Sequence, residues 1–209
     1  MSLTEKLQRR YASKMMNGDK IDHQKLEHIK EAIRLAPTSL GLQPFKVYVI
    51  ENQEMKQSIF DLAATGQPQI PTCSQLLVFV ALKKITKEFI DDYFDLINVV
   101  RDMPKEKLIG YRAMVDGLSS RSDEDNFNWS TRQAYIALGF GLVAAANEEI
   151  DSVPIEGFNS TKLNQLLGID EEYQSSVCLL ALGKRDEAKD YNAKLPKVRI
   201  AAEHLFINV

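Results

Sequence analysis

Arg9, Arg10 and Lys14 cluster near the start of this chain, Lys197 and Arg199 lie near its end, and between them residues 153–158 read VPIEGF. Taken singly, such basic groups are solvated surface and a Pro-Ile-Glu-Gly stretch is a turn. Taken together they fit a phosphorylated cofactor. A phosphate dianion calls for several cations, and arginine suits it because its planar fork grips two oxygens at once. A ring carried by that phosphate calls for main-chain donors.

Other signals carry less. Residues 139–144, GFGLVA, have the letters of a G-x-G-x-x-A dinucleotide fingerprint. That fingerprint opens a helix directly after a strand. Here WSTRQAYIAL precedes the glycines, so they sit mid-helix and read as a packing motif. Asp123-Glu124-Asp125 resembles the start of a calcium loop, but Asn128 stands in place of the turn glycine and Ala134 in place of the last carboxylate. A helix start accounts for these acids better. His23, His28 and His204 form no HExxH and no cysteine has ligand spacing, so no metal is expected. A serine hydrolase lacks its G-x-S-x-G.

The elements that must position the cations follow from periodicity. Residues 126–150 read as a long core helix, capped by Asp125 or Asn126. From Ala134 to Ala146 hardly a polar side chain appears, so this helix is expected to be buried all round. The run is shorter than the roughly 20 residues of a bilayer span, so its cover is protein. Gly139, Gly141 and Ala144–Ala146 leave room for another helix, in the core or at a subunit interface. A helical glycine costs about 1 kcal/mol against alanine, which packing or function must offset.

Upstream, Ser2 or Thr4 can cap a first helix that fades after Tyr11. Asp22 opens a second, with Leu26, Ile29, Ile33 and Leu35 close to one face, and Pro37 ends it. Residues 45–50 alternate as a strand, Asn52 begins a helix to about Ala64, and 65–74 form a loop or broken turn. Residues 75–82, QLLVFVAL, belong in the centre of a sheet. Residues 86–118 read as two charged helices divided near Pro104. After the core helix come a short extended piece at 152–154, a helix from Asn159 to Gly168, an apolar strand at 175–183 and a strand-like ending, HLFINV. Few strands separated by helices indicate one α+β or α/β domain over residues 1–209.

A net charge of -3 gives no reason to expect nucleic acid or an anionic membrane as partner. The N-terminal residues lack the apolar core of a secretory signal. Cys73 and Cys178 stand alone, which favours a reducing, cytoplasmic compartment.

RRYASK at 9–14, APTSLGLQPF at 36–45, GQPQI at 66–70, Trp129 with Gln133, VPIEGF at 153–158 and LPKVR at 195–199 together resemble the FMN-dependent nitroreductases of the oxygen-insensitive NAD(P)H type. The likeness runs over nearly the whole chain. It implies an α+β fold with a central, mostly antiparallel sheet flanked by helices. It also implies an intertwined homodimer in which HLFINV reaches the partner's sheet, and a variable helical flap at about 86–124 over the pocket.

Residue by residue, Arg10 and Arg199 match positions that hold the FMN phosphate, with Lys197 beside them and Tyr11 and Ala12 in the same stretch. Lys14 matches a lysine at the pyrimidine edge, where a fixed cation favours the reduced flavin. Pro154, Ile155, Glu156 and Gly157 match a loop along one flavin face whose main-chain N–H reaches N5, and Gly157 permits that approach. Thr38 and Ser39 match a loop that reaches the flavin of the other subunit, and Gln69 a polar contact to the pyrimidine end. Ala12, Gly41 and Gly66 stand where Ser, Asn and Asn are frequent. Each departure removes a hydrogen bond worth about 0.5–1.5 kcal/mol.

The implied chemistry is hydride transfer from NADH or NADPH to flavin N5, then onward to a nitroaromatic or quinone-like acceptor by a ping-pong mechanism, with no catalytic side chain. Alternatives are another acceptor on the same flavin, such as a dihydropteridine or halogenated phenol, or a non-catalytic flavin-binding dimer.

Overall fold

A sheet of four strands organises the chain, and the computed structural model describes all of residues 1–209. The strands are β1 (Phe45–Ile50), β2 (Gln75–Leu82), β3 (Asp151–Ile155) and β4 (Gln174–Gly183). They stand in the order β1-β2-β4-β3, and every neighbouring pair is antiparallel. The two apolar runs, β2 and β4, take the centre, joined by a register shift between Phe79 and Val80. Successive side chains of a strand face opposite sides. Accordingly Leu76, Val78 and Val80 enter one core and Leu77 and Phe79 the other.

The helices divide between the two faces. In the order of the chain they are α1 (Leu3–Arg9), α2 (His23–Arg34), α3 (Gln53–Ala63), α4 (Gln69–Thr72), α5 (Lys87–Arg101), α6 (Ile109–Asp116), α7 (Asp123–Asn147), α8 (Ser160–Leu167) and α9 (Ala202–Leu205). Side chains of α3, α4 and α8 close the first core, with Ile59, Ile70 and Leu163 fully buried. Those of α2 and α7 close the second through Leu26, Ile29, Ile33, Ala134, Ala137 and Leu138. Helices α5 and α6 form a separate layer around Phe94, Leu108 and Val115, against Trp129 of α7. That layer spans the stretch expected from the sequence to form the flap, and is called the flap below.

Local capping explains the boundaries. Ser2 and Glu5 form a reciprocal box at the start of α1, and Asp22, Asn52 and Asn159 accept the first free N–H groups of α2, α3 and α8.

Several sequence expectations need correction. The cap of α7 is Ser122, not Asp125 or Asn126, and Asp123-Glu124-Asp125 fill its first turn, where acids meet the positive end of the helix. The helix is not buried all round: Ile136, Phe140 and Val143 are each about 40% exposed along one stripe. Its glycines differ as well. A Cβ on Gly141 would lie 3.0 Å from Ile33 and 3.2 Å from Leu180, whereas Gly139 faces open space. Helix α1 stops at Arg9, and Leu35 is exposed at the end of α2. The ending HLFINV is not a strand within this chain. Its first residues complete the turn α9, and the remainder is exposed. No helix is long and apolar enough to cross a membrane.

Candidate functional site

Helix α1 ends where Arg10 turns extended, at φ -66 and ψ 130. From there residues 10–16 run back toward the sheet and make a bridge between Met16 and Arg185. The tail after β4 passes beside this segment. Lys197 fastens the two together, its Nζ donating to the carbonyls of Leu7 (2.5 Å) and Arg10. A cation against the last carbonyls of a helix is doubly favourable, by hydrogen bond and by dipole.

Asp190, buried, fixes the segment from the other side. Its Oδ2 accepts from the Tyr11 hydroxyl at 2.9 Å and the Lys14 N–H at 3.2 Å. Burial alone would raise this carboxyl, but the donors gathered around it hold it below its ordinary 3.8. Arg185 donates to Asp151 and lies 4.4 Å from the Tyr11 ring.

Between the two segments lies a hollow of about 660 Å³. Its basic lining is Arg9, Arg10, Lys14, Arg185, Lys197 and Arg199, and no acidic side chain lines it. Only Arg185 of this group is paired with a carboxylate. The Arg10 guanidinium is pushed down from its ordinary value by burial and by repulsion from Arg199 and Arg185. Lys197 is pushed down by burial and by repulsion from Arg10 and Arg199. An anion placed among them would relieve both effects.

Arg10 also links the hollow to the second element of the site, since its Nη1 donates to the Ser152 carbonyl (3.2 Å) on the free edge of β3. Pro154 sits on that edge strand, where a missing N–H costs nothing. Ile155 is buried, and Glu156 and Gly157 then turn outward, exposed. Neither of their main-chain N–H groups donates within the chain. The bend is held instead through other atoms. Glu156 Oε1 accepts from the Tyr135 hydroxyl at 2.6 Å, and the Gly157 carbonyl accepts from Gln67 Nε2 at 3.1 Å. A Cβ on Gly157 would come within 2.5 Å of that nitrogen.

The glutamines are placed differently from the sequence reading. Gln69 is wholly buried, donates to Gln67 Oε1 at 2.8 Å and leaves its own Oε1 without a partner. The amide with access to the surface is that of Gln67, which sequence reasoning passed over although it lies in the same GQPQI motif. Arg185 and Asp190 were also missed. Neither belongs to a motif, and only the tail's path brings them to residues 10–14. Ala12 and Lys14 line the hollow, whereas Gly66 is exposed with open space before it.

The remaining predicted residues, Thr38, Ser39 and Gly41, do not line this hollow. They belong to a loop on the flap side, tied to the core helix where the Ser39 N–H donates to Gln133 Oε1 at 2.8 Å. Gln133 is buried and donates in turn to the Trp129 carbonyl. The Trp129–Gln133 spacing therefore has a structural use.

Residues 7–184 match the Nitroreductase family. The chain belongs to that family. Among curated relatives, it is 30% identical over 204 residues to the major NAD(P)H-flavin oxidoreductase of Aliivibrio fischeri, covering 94% of each chain. It is 32% identical over 166 residues to YfkO of Bacillus subtilis (strain 168), described as a proposed NAD(P)H nitroreductase, covering 76% of this chain and 75% of the relative. Among solved structures, a protein of Exiguobacterium sibiricum 255-15 crystallised in complex with FMN superposes with a TM-score of 0.84 at 21% identity, covering 100% of this chain and 98% of the other. That likeness shows the nitroreductase fold, α+β with an antiparallel sheet flanked by helices.

Proposed function

We propose that this chain is an FMN-dependent oxidoreductase that takes a hydride from NADH or NADPH and passes its electrons to a nitroaromatic or quinone-like acceptor. One observation carries the reading: a hollow of uncompensated cations is joined along β3 to a bend with two free main-chain N–H groups. A phosphate fits the first and a hydrogen-bonding ring atom the second. Family membership and the relatives' names agree with this.

Arg10 and Arg199 hold the phosphate, with Lys197 fixing the tail that carries Arg199. Lys14 supplies a fixed positive charge at the pyrimidine edge. Glu156 or Gly157 presents an N–H toward N5, and Gln67 and Tyr135 hold that bend still. FMN supplies hydride acceptance and donation at N5 when bound. No side chain need serve as acid or base, since the protein's part is position, field and exclusion of water.

Thr38 and Ser39 lie apart from the hollow, which fits a site completed by a second copy of the chain. The exposed stripe of α7 and the exposed tail are the surfaces such a homodimer would cover. The whole chain works as one domain, in the cytoplasm. Donor and acceptor use one pocket in turn, so steady-state lines run parallel.

The test is anaerobic. The purified protein takes up FMN and turns yellow, NAD(P)H bleaches it, and a nitro compound or quinone restores the colour. A colourless protein that fails to take up FMN overturns the proposal, and intersecting lines overturn the shared pocket.

A further inference from the structure

The loop after α2 has an unusual backbone. Leu40 (φ 59), Gly41 (φ 68) and Gln43 (φ 47) all occupy the left-handed region, where a non-glycine residue stays only if its surroundings insist. Gln43 is held by Thr38 and Arg34, whereas the surroundings of Leu40 and Gly41 are in the flap. Tyr93 on α5 and Tyr111 on α6 both donate to the Leu40 carbonyl, at 2.7 and 2.6 Å, and their hydroxyls lie 3.2 Å apart. A carbonyl oxygen has two lone pairs, and here both are taken by phenols from different helices.

The contact is fitted as well as bonded. A Cβ on Gly41 would lie 3.1 Å from the Tyr93 hydroxyl, so the phenol occupies the room beside that glycine. The Leu40 side chain packs against the flap core, and Phe94 lies edge-on to Tyr93 at 5.5 Å and tilted against Tyr111 at 5.4 Å. Arg112 on α6 bonds Asp91 on α5, which locks the two helices to each other. The phenols therefore move as one unit with the flap. Burial and the neighbouring phenol raise the Tyr111 hydroxyl above its ordinary value, which keeps it a donor across the physiological range. At the loop's other end stands the Ser39–Gln133 bond, anchored on the core helix rather than the flap. The loop is thus strung between a fixed post and a flap.

We propose that Tyr93 and Tyr111 are positioning residues that let the flap set the shape of the Thr38–Gly41 loop, and through it the acceptors the site prefers. This rests on the functional reading above, in which Thr38 and Ser39 face the flavin bound to a second copy. Either phenol alone still gives the Leu40 carbonyl one donor, so losing one loosens the tie without removing it. Losing both leaves a strained loop without its tie.

The experiment compares wild type, Tyr93→Phe, Tyr111→Phe and the double variant, all FMN-loaded. Phenylalanine keeps the ring packing and removes only the hydroxyl. Amide hydrogen exchange at Gly41 and Leu42, whose N–H groups close turns onto Thr38 and Ser39, reads the clamp without reference to activity. Each single variant is expected to speed it about two- to threefold, and the double by more than the product, about tenfold or greater. In the same samples the ratio of kcat/KM between a small quinone and a bulky nitroaromatic is expected to shift at least about threefold in the double variant.

Unchanged exchange in the double variant overturns the clamp, and if the double does not fold, unchanged exchange in both single variants does so. Faster exchange with an unchanged acceptor ratio overturns the positioning role. Wild-type protein that takes up no FMN overturns the functional reading beneath it, a result distinct from either.

Discussion

FMN and riboflavin differ only by the phosphate, so the gap between their affinities measures what the cation hollow contributes. Arg10 is partly buried and has no carboxylate partner, and a hydrogen bond from such a cation is worth about 1.5–3 kcal/mol. Arg199 is exposed and touches only the Val198 carbonyl, so its pairing is screened to about 0.2–1 kcal/mol. Lys197 already donates to two carbonyls and adds less than its charge implies. Together these give about 2–4 kcal/mol, so riboflavin is expected to bind about 30- to 1,000-fold more weakly than FMN. Titrating apoprotein into each ligand and following flavin fluorescence measures both constants. Arg199→Met is expected to narrow the gap less than about fivefold, and Arg10→Met by about 10- to 100-fold. Arg10→Lys recovers only part, because an ammonium is a point charge and cannot grip two oxygens. Riboflavin binding within about threefold of FMN would refute the reasoning, as would an Arg10→Met variant with the wild-type ratio.

Two further outcomes test the scaffold. Gly141→Ala gains about 1 kcal/mol of helix propensity but forces a methyl group to 3.0 Å from Ile33, an overpacking that costs about 1–3 kcal/mol. A net loss of up to about 2 kcal/mol is expected in thermal unfolding, and Ile33→Val, which removes the nearest methyl, is expected to recover part of it. Strictly additive effects of the two substitutions would contradict the α2–α7 packing. Asp190→Asn tests the tie between tail and N-terminal segment. The Asp190 carboxyl lies below its ordinary 3.8 when folded, so its stabilisation is complete well above that pH and fades as pH falls through the lowered folded value. The variant is therefore expected to lose about 1–3 kcal/mol at neutral pH, with the gap to wild type closing under acid. A gap that widens on acidification would reverse the sign and reject this assignment.

What the sequence disclosed was governed by how local its cause was. Strands β1 and β2 keep the bounds read from their apolar runs, and the caps Asp22, Asn52 and Asn159 were legible because a cap acts within its own first turn. The start of α7 was misplaced for the same reason in reverse. Of Ser122 to Asn126 every residue but Glu124 is a capping type, and only the folded turn selects among them. Composition likewise showed that α7 is apolar but not what covers each side, so it could not show that Ile136, Phe140 and Val143 are left partly exposed by this chain. The cations at 10 and 197–199 were legible as chemistry. Gln67, Arg185 and Asp190, which hold their neighbours in place, depend on contacts far along the chain and left no local mark.

The same logic explains why α7 is the frame of the proposed site. Through Gly141 it sits directly against Ile33 and Leu180, which seats it on the chain's own sheet. Through Gln133 it holds the Ser39 N–H, and through Tyr135 it holds Glu156 of the β3 bend. One rigid helix thus spaces the two pieces that a single chain keeps apart. A helix that serves both pieces while leaving an apolar stripe uncovered is suited to align two copies, because any shift along that stripe would displace both pieces together. The tail follows the same reasoning. Lys197 fastens it to α1, and beyond Arg199 its Ile200, Phe206 and Ile207 are exposed. Phosphate contacts and dimer contacts would then lie on one continuous segment, and loosening the tail would weaken flavin binding and association together.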